Sequence, residues 1–321
     1  MPDSLIEPTE AGLYCEPANA YLDPSQPVDN AVVSHAHADH GAKDSERIHC
    51  TPATQGLLKA RYGFEAQSHS FEQRFAINGV EFIFHPASHV LGSALVSVIA
   101  DDEHWVYTGD YKRREDPTTT SLSIPSCDVF ITESTFALPV YKWHDPSQVY
   151  EDMVDWVNHA DSSTTVFLFA YSLGKAQRVL REIAEYDVAK EITVHGSVEE
   201  MNDAYRSIGV DIPDYDKADL RTKEYHGDVV IAPPGVREST KVQRLSDKQS
   251  ALISGWMRVR GNQRWRSYDN GFPVSDHCDW EGLLKSVEDA SPEEVKTLHG
   301  YSEDFAEYLR GEGVDAESWD V

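Results

Sequence analysis

Cysteine is scarce in this chain, and the four present (Cys15, Cys50, Cys127 and Cys278) stand far apart with no CxxC pair. That spacing argues against both a zinc ribbon and a disulfide framework, and it favours a reducing, cytoplasmic setting. Long hydrophobic runs are also missing. The longest, Val166–Ala170 and Ala94–Ala100, are strand-sized and far short of the roughly 20 residues of a membrane span, so no membrane association is expected. The N-terminus lacks the basic-then-apolar profile of a secretory signal. No repeat or low-complexity tract interrupts the 321 residues, which suffice for one large domain or two modest ones with self-sufficient cores.

Positive charge is in short supply too: 28 Lys and Arg face 55 Asp and Glu, a formal net charge of −27, and lysines number 12 against 16 arginines. Gripping a polyanion normally takes Lys and Arg, so this balance counts at first sight against a nucleic-acid substrate. The carboxylates are scattered, however, not gathered in a tail. Diffuse acidity with scarce lysine fits a halophilic protein, kept soluble in concentrated salt by its carboxylates. An ordinary acidic enzyme would carry an excess nearer a handful of charges.

What the chain does contain is a succession of short apolar runs. Ala31–Val33, Val80–Phe84, Ala94–Ala100, Trp105–Tyr107 and Val129–Thr132 read as strands. Pro146–Ala160 has helix spacing at Val149, Met153, Trp156 and Val157, with Pro146 near its start. Strands at Thr165–Ala170, Ile192–Val194, Val229–Ile231 and Ala251–Ile253 then accompany helices at Gly174–Tyr186 and Val198–Ile208, a β/α unit able to form its own parallel sheet. The last part reads as helix (Trp280–Val287), strand (Val295–Leu298) and helix (Glu303–Leu309). Ser34-His35, His85 to His89, Gly109-Asp110, Glu133 and His299 all sit just past the C-terminal ends of the expected strands, where open α/β structures gather their chemistry.

The segment His35–His40 places four potential metal ligands, His35, His37, Asp39 and His40, within six residues. Ala36 and Ala38 let it double back without crowding, so that His35 and His37 face a first ion and Asp39 and His40 a second. Imidazole nitrogen with carboxylate oxygen suits zinc, with manganese or iron also open. A lone histidine is usually a surface or satisfied core residue, but that does not explain three with an aspartate on one loop. Four residues cannot satisfy two ions, so more ligands are expected downstream: His89 for the first, Asp110 as a bridge, and His299 for the second. Two divalent ions roughly 3.5–4 Å apart activate water and clamp both oxygens of an in-line displacement.

This order, HxHxDH, then a histidine before a small-residue turn, then Gly-Asp, resembles the metallo-β-lactamase superfamily. The stretch Glu133-Ser-Thr-Phe136 resembles its β-CASP nuclease branch of RNA 3′-end processing and DNA repair. There an acidic residue precedes an inserted domain, a histidine returns in a Ser-x-His-x-Asp context (here His277 in Ser275–Asp279), and a last histidine follows a strand (His299). With Ala11–Cys15, Gly109–Lys112 and Gly174–Gln177 included, the closest resemblance is to the DNA-ligase-associated exonucleases, also labelled mRNA 3′-end processing factors in archaea. The resemblance implies an α/β fold: a metallo-β-lactamase αββα sandwich in two parts, 1–137 and 271–321, with a β-CASP-like α/β domain inserted at 138–270. It implies two divalent ions, zinc or else manganese, with Asp39 acting in catalysis as well as ligation. His277 would protonate the leaving oxygen, which departs poorly otherwise, with Glu133 orienting it. Asp23 would orient a ligand histidine. The implied partner is DNA or RNA, single-stranded or with a free end, within a DNA ligase and helicase repair set.

For phosphate contacts, Lys112, Arg113 and Arg114 follow Asp110 closely, and at least one of them is expected beside the ions, Lys112 and Arg113 being the candidates. Trp256–Arg266 sets Arg258, Arg260 and two further arginines beside two tryptophans, a mixture suited to backbone neutralisation and base stacking on single strands. Solvated arginines matched to acidic neighbours explain it equally well residue by residue. Lys175 and Ser197 follow strands of the middle unit and are weaker candidates for a terminal phosphate. Two other functions compete, a small-molecule thioester or lactam hydrolase and a non-catalytic nucleic-acid scaffold. The ligand set argues against the scaffold, and Glu133 with His277 against the small-molecule enzyme. The sequence alone does not separate DNA from RNA.

Overall fold

Short runs of β-branched and aromatic residues favour strands, and among the described residues of this computed structural model (4–40, 42, 44–218, 227–259 and 268–319) they build three sheets. The chain divides into two compact units, Met1–Tyr141 with His277–Val321, and Lys142–Asp276. Both limits lie a few residues beyond the expected 138–270. Residues 138–141 stay with the first unit, where the Tyr141 carbonyl accepts the Trp280 N–H at 3.0 Å. Residues 271–276 stay with the second, because the strand Asn270–Phe272 pairs with Lys248–Ile253.

In the first unit a six-stranded and a seven-stranded sheet share a core. Leu13, Leu22 and Val32 of one meet Phe82, Phe84, Val96, Val98, Trp105 and Ile131 of the other. The seven-stranded sheet buries its second face, through Leu95, Val106, Phe130 and Val295, against the helices Trp280–Ala290 and Ser302–Gly311. Covered on both faces, its strand Val129–Glu133 is buried throughout, apolar over Val129–Ile131 and polar only where it reaches the edge.

Register brings the chemistry to one edge. The strands Glu103–Tyr107, Val129–Glu133 and Glu294–Leu298 are parallel neighbours, with Tyr107 opposite Ile131 and Glu133 opposite Leu298. Val80–Pro86, two antiparallel steps further on, points the same way. The chain leaving these four strands carries His89, Asp110, Thr135 and His299. In the other sheet the parallel neighbours Ala20–Leu22 and Asn30–Val32 end at Asp23 and at Ser34-His35. The Ser34 carbonyl accepts the Ala94 N–H at 2.9 Å and joins the two edges. Such close approach needs glycine at Gly109 (φ 52°), where a Cβ would lie 2.5 Å from Ser34 Oγ.

The second unit is a parallel six-stranded sheet. Its three longest described helices, expected at Pro146–Ala160, Gly174–Tyr186 and Val198–Ile208, run Pro146–His159, Lys175–Ile183 and Gly196–Ser207. No described helix is long and apolar enough to cross a membrane.

Candidate metal centre

Three imidazoles converge at the shared edge of the first unit. His37 Nδ1 lies 3.1 Å from His35 Nε2 and 3.1 Å from His89 Nε2. Asp110 Oδ2 stands 3.6 Å from His35 Nε2, 3.5 Å from His89 Nε2 and 3.9 Å from His40 Nε2. A tetrahedral centre with bonds of about 2.0–2.1 Å holds its ligands a little over 3 Å apart, so the three nitrogens have the spacing of a coordination shell. His35, His37, His89 and Asp110 thus form a group able to hold a metal ion. Burial first, and then repulsion from His40, His89, His37 and His277, push the His35 pKa well below its ordinary value. His35 is therefore a neutral imidazole, the form that donates a lone pair to a cation.

His40 is held by its other nitrogen. Its Nδ1 meets Asp23 Oδ2 at 2.9 Å, which leaves Nε2 towards Asp110. Asp23 also accepts the Ser34 N–H at 2.7 Å, the Ser34 hydroxyl at 2.5 Å and the Tyr107 hydroxyl at 2.9 Å. Burial disfavours charge on His40, but Asp23, then Asp110 and Asp39, overturn that and lift its pKa to about 10. A cation taken up at Nε2 displaces a proton, so binding here releases one. Asp39 and His299 lie looser. The Asp39 carboxylate is 80% exposed and 3.9 Å from His40 Nε2, and the His299 ring centre is 6.4 Å from that of His40. A cavity of about 160 Å³ is lined by Asp23, Asp39, His40, Tyr107 and His299 among others.

Beside this group, His277 Nδ1 lies 2.9 and 2.8 Å from the two oxygens of Glu133, and its ring centre is 4.7 Å from that of His89. Glu133 is 2% exposed. Burial works to raise its pKa, but His277, the Thr135 hydroxyl at 2.6 Å and the Tyr111 N–H at 2.9 Å prevail and hold the carboxyl below its ordinary range.

The expected phosphate contacts fare differently. Lys112 is buried beside the cluster, with its ammonium donating to the Ser88 and His89 carbonyls and to Asp116, so the expected phosphate contact is corrected. Arg113 turns to the helix Trp280–Ala290 instead, reaching Asp289 at 2.6 Å and the Ser286 hydroxyl at 3.2 Å. In the second unit Lys175 is buried and paired with Asp276 at 3.1 Å, where burial again removes the expected phosphate contact. Ser197 Oγ lies 2.9 Å from Ser172 Oγ and 2.9 Å from His195 Nδ1. Arg258 donates to the Lys142 carbonyl and lines a larger cavity of about 810 Å³ with His144, Asp145 and Phe272. Arg260 lies outside the described residues. Spacing does not mark Tyr107 and Ser34 as Asp23's partners, although Tyr107 heads the Tyr-Thr-Gly-Asp stretch that delivers Asp110.

No family model matches the chain. It is 36% identical, over 95% of its length, to a probable DNA ligase of Opitutus terrae, of which it covers 30%. It is 25% identical, over 94% of its length, to cleavage and polyadenylation specificity factor 73 of Drosophila melanogaster, covering 50% of that protein. An RNase J-like protein of Methanocaldococcus jannaschii is 28% identical over 50% of this chain, which covers 44% of it. The chain thus spans half or less of the length of these relatives. Its fold is similar, at a TM-score of 0.58 and 13% identity, to a crystal structure of a protein of unknown function from Enterococcus faecalis V583, over 91% of this chain and 79% of that one.

Proposed function

We propose, from its resemblance to the β-CASP nucleases of the metallo-β-lactamase superfamily, that the chain is a two-metal nuclease that hydrolyses nucleic-acid phosphodiesters. On this reading the first unit is the αββα sandwich and Lys142–Asp276 the inserted β-CASP domain. The observation that carries the proposal is the imidazole cluster with Asp110 against it and the Glu133–His277 pair beside it.

His35, His37, His89 and Asp110 would hold one divalent ion, and Asp39, His40, Asp110 and His299 the other, zinc or manganese by donor chemistry. Ions bound there supply Lewis acidity at phosphorus and an activated water. Asp23 fixes the tautomer of His40. Asp39, exposed at the rim, takes the proton of the attacking water. Glu133 holds Nδ1 of His277, so the leaving oxygen is protonated from Nε2.

DNA is the favoured substrate, cleaved from an end as in the ligase-associated group, because the relative matched at 36% over nearly the whole chain is a probable DNA ligase. RNA 3′-end processing is the second reading, supported by the resemblance to factor 73 and the RNase J-like protein. The test is incubation of pure protein with end-labelled single-stranded DNA, matched RNA and a generic lactam, with Mn²⁺ or Zn²⁺. Cleavage of DNA in preference to RNA supports the first reading and the reverse order the second. Turnover of the lactam alone would overturn both.

A further inference from the structure

Lys112 follows Asp110 by two residues, yet its side chain is only 1% exposed. Its Nζ donates to the Ser88 carbonyl, to the His89 carbonyl at 2.9 Å and to Asp116 Oδ2 at 2.9 Å. An ammonium has three protons to give, and three acceptors account for them. Asp116 is fixed in turn, its Oδ1 accepting the Thr118 N–H at 2.8 Å and the Thr118 hydroxyl at 2.6 Å. The Lys112 backbone N–H donates to the Ala87 carbonyl at 3.1 Å. Backbone and side chain of one residue therefore hold three successive carbonyls of the loop that presents His89. That loop needs holding, because Ser88 sits at φ 62°, a region that side chains other than glycine enter at a cost. Two carbonyls and a carboxylate converging from separate directions suit a compact point charge, whereas a planar guanidinium fork would not meet all three.

We propose that Lys112 is a positioning residue: with Asp116 it locks the loop of His89 to the loop of Asp110, and so sets the affinity of the His35–His37–His89–Asp110 cluster for its divalent ion. The inference rests on the reading of that cluster as a cation site. Lys112 then acts on cation affinity and not on phosphate.

The test uses the full chain, stripped of metal and titrated with Co²⁺, followed by visible absorption and equilibrium dialysis, with affinity for a single-stranded oligonucleotide measured in parallel. Lys112→Met is the direct variant. Lys112→Met/Asp116→Leu replaces the buried pair with apolar groups, an exchange that is often neutral for folding, and carries the test if the single variant unfolds. Both are expected to bind Co²⁺ about 10–100-fold more weakly, with altered absorption bands that excess Co²⁺ restores, and to bind the oligonucleotide within about twofold of the parent. A folded variant with parental Co²⁺ affinity and bands overturns the proposal. If oligonucleotide affinity falls while Co²⁺ affinity holds, Lys112 returns to substrate contact. Failure of the parent protein to bind Co²⁺ at all would instead sink the cation site itself, a separate outcome.

Discussion

The nitrogen a histidine offers to a cation is set by whatever holds its other nitrogen, and at His40 that is Asp23. Tyr107 supplies one of the protons that fix Asp23. Burial, then Asp23, keeps the Tyr107 pKa well above its ordinary value, so the hydroxyl remains a donor. On the proposed two-ion reading, Tyr107→Phe should therefore weaken the ion at His40 about tenfold and leave the one at the His35–His37–His89 cluster nearly unchanged. Dialysis against graded chelator with elemental analysis would check this, and equal loss of both ions would sink it. The Glu133–His277 pair makes a different demand. Glu133→Gln and His277→Ala should each slow hydrolysis of a natural phosphodiester by roughly 10²-fold or more, and slow that of a nitrophenyl phosphodiester much less, because its leaving group needs no proton. Equal losses on both substrates would count against the proton-donor role. At this scale the sequence exposed what spacing can show. The run His35–His40 is legible because its donors are packed within one loop. Nearness to Asp110 along the chain does not say whether a side chain turns outward or inward: Lys112 turns in against the His89 loop and Arg113 away to Asp289. Asp23's donors Ser34 and Tyr107 stand 11 and 84 residues away, and only the fold brings them together.

Strand ends place these residues, so the turns that follow must be shaped to allow it. Gly300, next to His299, has φ 56°, and a Cβ there would lie 2.5 Å from Thr135 Cα and 2.6 Å from the Ser134 carbonyl oxygen. Ser134 is tied to the same turn, its hydroxyl donating to the Leu298 and His299 carbonyls. Gly300→Ala should thus push His299 and the Glu133–Thr135 segment apart, costing about 2–3 kcal/mol and lowering cation affinity. Gly313→Ala, at φ 87° with nothing within 4 Å of its Cβ, should cost about 1 kcal/mol and leave cation affinity alone. Denaturant unfolding of both variants checks the contrast. A pH effect belongs to the strand Arg47–Cys50. Burial first, then His69 and Arg47, press the His49 pKa from 6.5 down to about 4. The unfolded chain takes up a proton below about 6.5 that folded His49 refuses, so its contribution to stability is complete above that pH and lost as pH falls towards 4. His49→Phe should flatten the stability curve between those values, and an unchanged slope would mean other groups carry it. The longer strands and most of the longer helices read from their apolar periodicity, but the helix Pro52–Tyr62, which buries only Thr54, Leu57 and Leu58, has no such stripe to show. Glu7–Thr9 and Gln67–Ser68, at three and two largely exposed residues, carry no such period, and their place is set by the neighbours they pair with.

For the whole molecule, a net charge of −27 must be reconciled with the proposed polyanionic substrate. The cations expected to help are partly spent within the fold, Lys112 on Asp116, Arg113 on Asp289 and Lys175 on Asp276. Adaptation to concentrated salt, proposed for this acidity, resolves the conflict through screening and makes two measurable demands. The Debye length is about 30 Å at 0.01 M salt and about 3 Å at 1 M. At the lower value carboxylates repel across a whole unit, and at the higher only immediate neighbours interact. The thermal midpoint of the metal-free protein should therefore rise between 0.01 and 1 M KCl by on the order of 5–10 °C, or about 2–3 kcal/mol. Chloride is the proper salt, since sulfate stabilises folded proteins generally by exclusion from their surface. The second demand concerns binding. A protein making six to ten phosphate contacts typically loses about 10³–10⁵ in affinity between 50 and 200 mM salt through counterion release. Here relief of the overall repulsion opposes that loss, so affinity for a labelled single-stranded 20-mer, followed by anisotropy, should change by less than about tenfold over the same range. A midpoint flat in KCl would remove the salt adaptation. A steep ordinary salt dependence would mean that a basic surface dominates the encounter despite the acidity around it.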